Sequence, residues 1–280
     1  MEFKYRISWS KLEFVNSREQ IEHPIVREAL RLLNIDEPLE ITTFSDVPAS
    51  TGLGSSSSFA VGLLHALHAL KGQYVTKNQL AEEAAKIEIE LLQRPIGKQD
   101  HYAASYGNFN IISFLPTGQT LIHPVFYQRE VTEKLNKNLL LFYTQQKRDA
   151  AEVLHAQRKK TASKFENLKK MKELVPPLRD AILSNDLDVF GNLLHQNWLL
   201  KRDITEEISN SFIDKLYSTA LDAGATGGKL LGAGGGGFLL LYVKPDQQAR
   251  VREALSGVYE MKFSFDTAGS RIIYYTRDDD

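Results

Sequence analysis

The sequence predicts an α+β fold, and three observations carry that prediction. Strand-like and helix-like segments follow one another without strict β-α-β alternation. A turn rich in glycine and serine, residues 46–58, joins a short β-branched segment to a long apolar helix. From Asp149 to Gly224 the pattern is mainly helical, and a glycine run and further strands follow it.

Phe3–Trp9 alternates in polarity and reads as a strand. Pro24, preset for the first helical position, opens a helix over Ile25–Leu33. Leu39–Phe44 is a second short strand, and the apolar helix after the turn runs from about Ser56 to Leu70. Thr76 is placed as the N-cap of a helix whose Leu80, Ala84, Ile87 and Leu91 share a face, with Glu88 pointing outward. Pro95 and Gly97 stop that helix. Phe109–Phe114 and Leu139–Tyr143 read as strands, and the helical stretch breaks near Pro176–Pro177, Asn185–Asp186 and Thr205. Strand Phe238–Val243, helix Gln247–Ser256 and strands around Met261–Phe265 and Arg271–Tyr275 follow. A boundary between residues 145 and 150 is expected, dividing the chain into 1–147 and 148–280.

Composition narrows the function. The 34 Lys and Arg nearly match the 35 Asp and Glu, so no global charge draws the chain to nucleic acid or an anionic membrane. Anion sites must then come from backbone amides or a few placed cations. The absence of cysteine excludes disulfides, thiolate nucleophiles and cysteine-ligated metals, and fits a cytoplasmic location. Met1–Phe14 has no apolar signal core, and no apolar run approaches the ~20 residues of a membrane span.

The turn reads Asp46-Val-Pro-Ala-Ser-Thr-Gly-Leu-Gly-Ser-Ser-Ser-Ser58. Glycines let backbone N–H groups turn toward an anion, and the helix start adds unpaired donors and partial positive charge. Serine hydroxyls add donors, and one can reach a magnesium ion. The candidate phosphate-binding residues are Pro48, Gly52, Leu53, Gly54, Ser55, Ser56, Ser57 and Ser58. The string is neither a Walker A loop nor a Gly-x-Gly-x-x-Gly fingerprint. Downstream, Glu88 and Asp100 flank the Pro95–Gly97 break. A serine with a carboxylate suits Mg²⁺, and a second carboxylate suits a base. Glu90 competes with Glu88, and Lys98 beside the turn is a candidate phosphate neighbour. A second glycine run, Gly227-Gly-Lys-Leu-Leu-Gly-Ala-Gly-Gly-Gly-Gly-Phe238, leads directly into a strand, and its Lys229 is a candidate local cation.

These motifs, in this order, resemble those of the GHMP family of small-molecule kinases over nearly the whole chain. The resemblance implies two lobes, an N-terminal one like ribosomal S5 domain 2 and a ferredoxin-like C-terminal one. It implies ATP on the 52–58 loop, Mg²⁺ on Ser56 and Glu88, and Asp100 as the catalytic carboxylate. Gly232, Gly234, Gly235 and Gly236 would shape the active centre. Glu22-His-Pro-Ile-Val-Arg-Glu-Ala-Leu30, Pro95-Ile-Gly-Lys-Gln-Asp100 and the Gly227–Phe238 run together look most like the branch acting on D-glycero-D-manno-heptose 7-phosphate, at its C1 hydroxyl, and Leu194-His-Gln-Asn-Trp-Leu-Leu-Lys201 fits the same branch. Fucose- and galactose-like 1-kinases, or a non-catalytic relative that only binds nucleotide or sugar, are the alternatives. The sugar phosphate would need cations, for which Lys147, Arg148 and Lys201 are candidates. GHMP kinases also carry a first, N-terminal motif. Met1–Asn16 resembles the stretch after it, so that motif is expected to be missing here, either through truncation, which would leave turnover weak or nil, or through replacement in a divergent member. A homodimer is compatible with all of these features.

Overall fold

The computed structural model describes residues 3–48, 51–146 and 150–276. The chain falls into two compact units. The first comprises Met1–Ala49, Gly54–Asn108 and Thr267–Asp280; the second comprises Ser50–Leu53 and Phe109–Asp266.

In the first unit, strand β1 (Tyr5–Ser8) pairs antiparallel with β2 (Leu12–Val15). Helix α1 (Pro24–Leu32) then carries the chain to β3 (Leu39–Thr42), which runs parallel to β1. A parallel neighbour needs such a crossover. Glu13 fixes the entry to α1, accepting from the backbone N–H of Glu22 and His23 at 2.6 and 3.2 Å. Helix α2 (Ser55–Leu70) buries Ala60, Val61, Leu64 and Leu67, the helical spacing of a single face, against β1 and α1. Helix α3 (Lys77–Ala85) has Thr76 as its cap, accepting from the N–H of Gln79 at 3.1 Å. It continues as a π-helical segment, Lys86–Leu91, in which the N–H of Leu92 reaches back to the carbonyl of Ile87. Helix α4 (Gln99–Tyr106) follows the Pro95–Gly97 turn.

The second unit opens with the hairpin β4 (Asn110–Phe114) and β5 (Thr120–Pro124), then α5 (Arg129–Asn138) and β6 (Leu139–Tyr143). Five helices follow: α6 (Ala150–Lys160), α7 (Phe165–Glu173), α8 (Val175–Leu183), α9 (Leu187–Arg202) and α10 (Ser211–Asp222). Strands β7 (Gly227–Leu230) and β8 (Phe238–Tyr242), helix α11 (Gln248–Ala254) and the two-residue β9 (Tyr259–Glu260) complete it. The sheet order is β7-β8-β6-β9, all antiparallel. With helices between β6 and β7 and between β8 and β9, this is ferredoxin-like connectivity. Apolar residues cover both sheet faces, Leu140 and Phe142 in one core and Leu139 and Tyr242 in another.

Several local expectations change. The strand β6 opens this sheet before residue 147, and packing parts the units at 108/109. The tail expected as two strands forms only β9: Met261 donates to Leu141 O at 2.8 Å, Phe263 and Phe265 pack as side chains, and 271–276 is unpaired coil. Glu88, read as outward, is fully buried. Its position follows Ala84 by one turn on the same face, and polar partners compensate its charge there.

Candidate active site

Gly54 starts α2 with a φ of +68°, the left-handed region that glycine adopts without strain. Among the described residues no side chain caps this helix, and its first turn holds no acidic residue. Its leading N–H groups and positive end are therefore available to an external anion. The Ser55 hydroxyl is buried and has no hydrogen-bond partner among the described residues, which leaves one more donor at the same place. Ser56 and Ser58 are exposed, and Ser57 is buried.

Glu88 sits beneath this helix start. Ser56 Oγ donates to its Oε1, and Ser57 Oγ to its Oε2 at 3.1 Å. His101 Nε2 lies 2.8 Å from Oε2, and Arg94 Nη1 pairs with Oε1. Burial raises the Glu88 pKa, but hydrogen bonds from His101 and Ser56 and the charges of His101 and Arg94 outweigh it, so the carboxyl lies below its ordinary value. An ionised carboxylate beside a hydroxyl is a hard-oxygen pair that fits a divalent cation whose shell is completed by phosphate and water. Among the described residues no group of three or more His, Asp or Glu could hold a metal by itself, so any cation here takes few protein ligands. Glu90 is exposed and makes none of these contacts.

Asp100 lies in the first turn of α4, half-buried. A Cβ placed on Gly54 would lie 3.3 Å from its Cβ and Cγ and 3.5 Å from Oδ2. The carboxylate thus stands directly against the helix start where an anion would dock. Lys98 does not face this point; its Nζ binds Glu82 Oε2 at 2.7 Å.

In the second unit, Gly52 packs against the second glycine run. A Cβ on Gly52 would fall 2.7 Å from Leu231 O, and one on Gly232 would collide with Gly52 Cα. Gly235 N donates to Ile208 O at 2.9 Å, and Gly237 N to Gln146 O at 3.0 Å. Gly234 lies against Ile208 and Gly236 against Gln146. Lys201 Nζ donates to Gly232 O, which fastens the run further. Lys229 points to α9, where its Nζ meets Asn197 Oδ1 at 3.0 Å; burial lowers its pKa. Pro48 is exposed and Leu53 half-buried. Lys147 and Arg148 lie outside the described residues.

Sequence reasoning assigned no role to Arg94 or His101. They flank the quoted 95–100 motif on either side, Arg94 just before Pro95 and His101 just after Asp100, and that adjacency was the available signal.

The model of the GHMP kinases N terminal domain matches residues 24–108, and that of the GHMP kinases C terminal matches 178–260. The chain is 30% identical over 231 residues to a D-glycero-alpha-D-manno-heptose 7-phosphate kinase of Campylobacter jejuni subsp. jejuni, covering 81% of this chain and 68% of that protein. It is 28% identical over 249 residues to a galactokinase of Pyrococcus furiosus, covering 79% and 68%. The structure of a D-glycero-D-manno-heptose 1-phosphate kinase from Bacteriodes thetaiotaomicron superimposes with a TM-score of 0.75 at 25% identity, over 97% of this chain and 84% of that one. The two models fall in the order the motifs take, and the relatives named above are kinases; this protein belongs to the GHMP kinase family and is a phosphotransferase.

Proposed function

We propose that the protein is a Mg-ATP-dependent sugar kinase whose acceptor is the C1 hydroxyl of D-glycero-D-manno-heptose 7-phosphate. The observation that carries the reading is the contact of Asp100 with the Gly54 helix start, two residues from Ser56 of the Ser56–Glu88 pair. Phosphoryl transfer asks little covalent chemistry of a protein; it asks for positioning and charge neutralisation. The uncapped N-terminus of α2 holds the nucleotide phosphates. Ser56 and Glu88 would hold Mg²⁺, which when bound neutralises phosphate charge. Asp100 accepts the proton of the sugar hydroxyl as its oxygen bonds to the γ-phosphorus, and the electrons of the breaking bridge bond leave on ADP.

The choice of sugar rests on the two heptose-phosphate kinases among the relatives. One name specifies the 7-phosphate and the other the 1-phosphate; the 7-phosphate is taken from the relative that shares 30% identity over 81% of this chain. The fucose- and galactose-like kinases remain the second reading, favoured by the galactokinase similarity. No helix among the described residues is long and apolar enough to cross a membrane, and we place the reaction in the cytoplasm. Rates of ADP release with heptose 7-phosphate, fucose and galactose test the assignment. The heptose phosphate should give the highest kcat/KM; a higher value for any other sugar overturns the substrate choice.

A further inference from the structure

We infer that Arg94 is an internal counter-ion that occupies the cation position of Ser56 and Glu88 in the nucleotide-free protein and must leave it when a divalent metal binds. The inference rests on the metal-site reading above.

Glu88 is 0% exposed, and an ionised carboxylate in that setting needs compensation. Its two oxygens are treated differently. Oε2 faces inward, held by the fully buried ring of His101 at 2.8 Å and by Ser57 at 3.1 Å. Oε1 faces the helix start and is shared by Ser56 Oγ and Arg94 Nη1. The same Nη1 also lies 2.6 Å from Ser56 Oγ. A single guanidinium nitrogen therefore touches both oxygens that would ligate the metal. Metal and guanidinium cannot both take that place, since each is a cation bound to the same lone pairs.

Of the two basic partners, Arg94 is the one able to move. Its side chain is 34% exposed, against 0% for His101. It follows the π-helical segment, in the short coil before Pro95, where its backbone N–H is anchored on Glu88 O at 2.9 Å while its side chain reaches Ser56 and Glu88 from the exposed side. A guanidinium in this position keeps the carboxylate ionised and oriented before metal arrives. The consequence is a built-in competitor: bare divalent ions bind weakly, and a metal already carrying nucleotide phosphates displaces the arginine. His101 and Ser57 hold Oε2 throughout, so the carboxylate does not turn during the exchange.

The test is Mn²⁺ binding to the nucleotide-free protein, read by loss of the free-ion electron paramagnetic resonance signal. Arg94→Met keeps the aliphatic stem and removes the charge. It should bind Mn²⁺ at least tenfold more tightly than the wild type, and adding Glu88→Gln should abolish the gain. A merely structural arginine would give the opposite sign, because disordering the site weakens metal binding. Arg94→Lys retains a cation without the planar fork, so it guards against a folding failure of the first variant; it should bind Mn²⁺ at least threefold more tightly than wild type. Equal or weaker binding by the folded variants overturns the counter-ion role. If Glu88→Gln alone leaves wild-type Mn²⁺ binding unchanged, the metal site itself is wrong and the inference falls with it.

Discussion

A Cβ on Gly54 would sit 3.3 Å from both Cβ and Cγ of Asp100. The glycine that starts α2 and the carboxylate that starts α4 therefore share one small volume, and the two elements are read together. Gly54→Ala should strain a φ of +68° by about 1–2 kcal/mol and push Asp100 aside. A displacement of well under an ångström at such a site lowers turnover by roughly tenfold or more. The expected result is a folded variant, melting a few degrees lower, with kcat reduced far more than KM is raised. Unchanged kcat would separate Asp100 from the chemistry.

Asp100→Asn keeps shape and hydrogen bonding but cannot take a proton. Turnover should fall about 10²–10⁴-fold, while nucleotide affinity by calorimetry stays within about twofold. Normal turnover would remove Asp100 as the base.

Glu88 links the site to acid stability. Its carboxyl lies below the ordinary value when folded, because His101, Ser56 and Arg94 outweigh burial. A depressed folded pKa gives stability that is present above the unfolded value, near 4.3, and is lost as pH falls through the folded one. Glu88→Gln should therefore flatten the acid limb of the stability curve below about pH 4.5, measured by urea unfolding from pH 3 to 6. Near neutral pH the variant should lose up to about 3 kcal/mol, since the buried His101 ring and the half-buried Arg94 guanidinium lose their carboxylate partner. An acid limb as steep as the wild type's would show that Glu88 is not held ionised.

Two glycines give a matched pair. Gly232→Ala would drive a Cβ into the backbone of Gly52 and should cost about 1–3 kcal/mol. Gly62, in the interior of α2, has nothing within 4 Å of its Cβ position. Gly62→Ala should stabilise by roughly 0.5–1 kcal/mol. Thermal melts compare the two directly, and equal shifts would show that the close approach of the glycine runs carries no weight.

Legibility tracked the kind of signal each element has. Strand β6 matched its expected bounds, and α2 began one residue earlier than expected, because apolar runs bounded by turns leave few alternatives. Pro24 marked a helix start through its fixed φ and Thr76 through its cap hydrogen bond from the Gln79 N–H, and neither signal needs a distant partner. Helix α4 was hidden, since Pro95 and Gly97 read as a terminator and the segment has no apolar face. Strand β7 was hidden inside a glycine run; pairing with β8, Gly227 opposite Tyr242, makes it a strand rather than propensity. The tail misled in the opposite direction: Ile272, Ile273 and Tyr274 have strand propensity but no pairing partner. At the candidate site, Glu88 and Asp100 were singled out by the resemblance to the family's motifs. Arg94 and His101 were not, because their roles depend on the π-helical segment and the α4 turn bringing both to one carboxylate.

The most direct test of the whole account is ³¹P NMR of the protein incubated with Mg-ATP and D-glycero-D-manno-heptose 7-phosphate. The account requires a new anomeric phosphate resonance that grows as ATP converts to ADP, with the 7-phosphate signal retained, and its loss in Asp100→Asn. Bound ATP with no new sugar phosphate, or an equal product from Asp100→Asn, would contradict it.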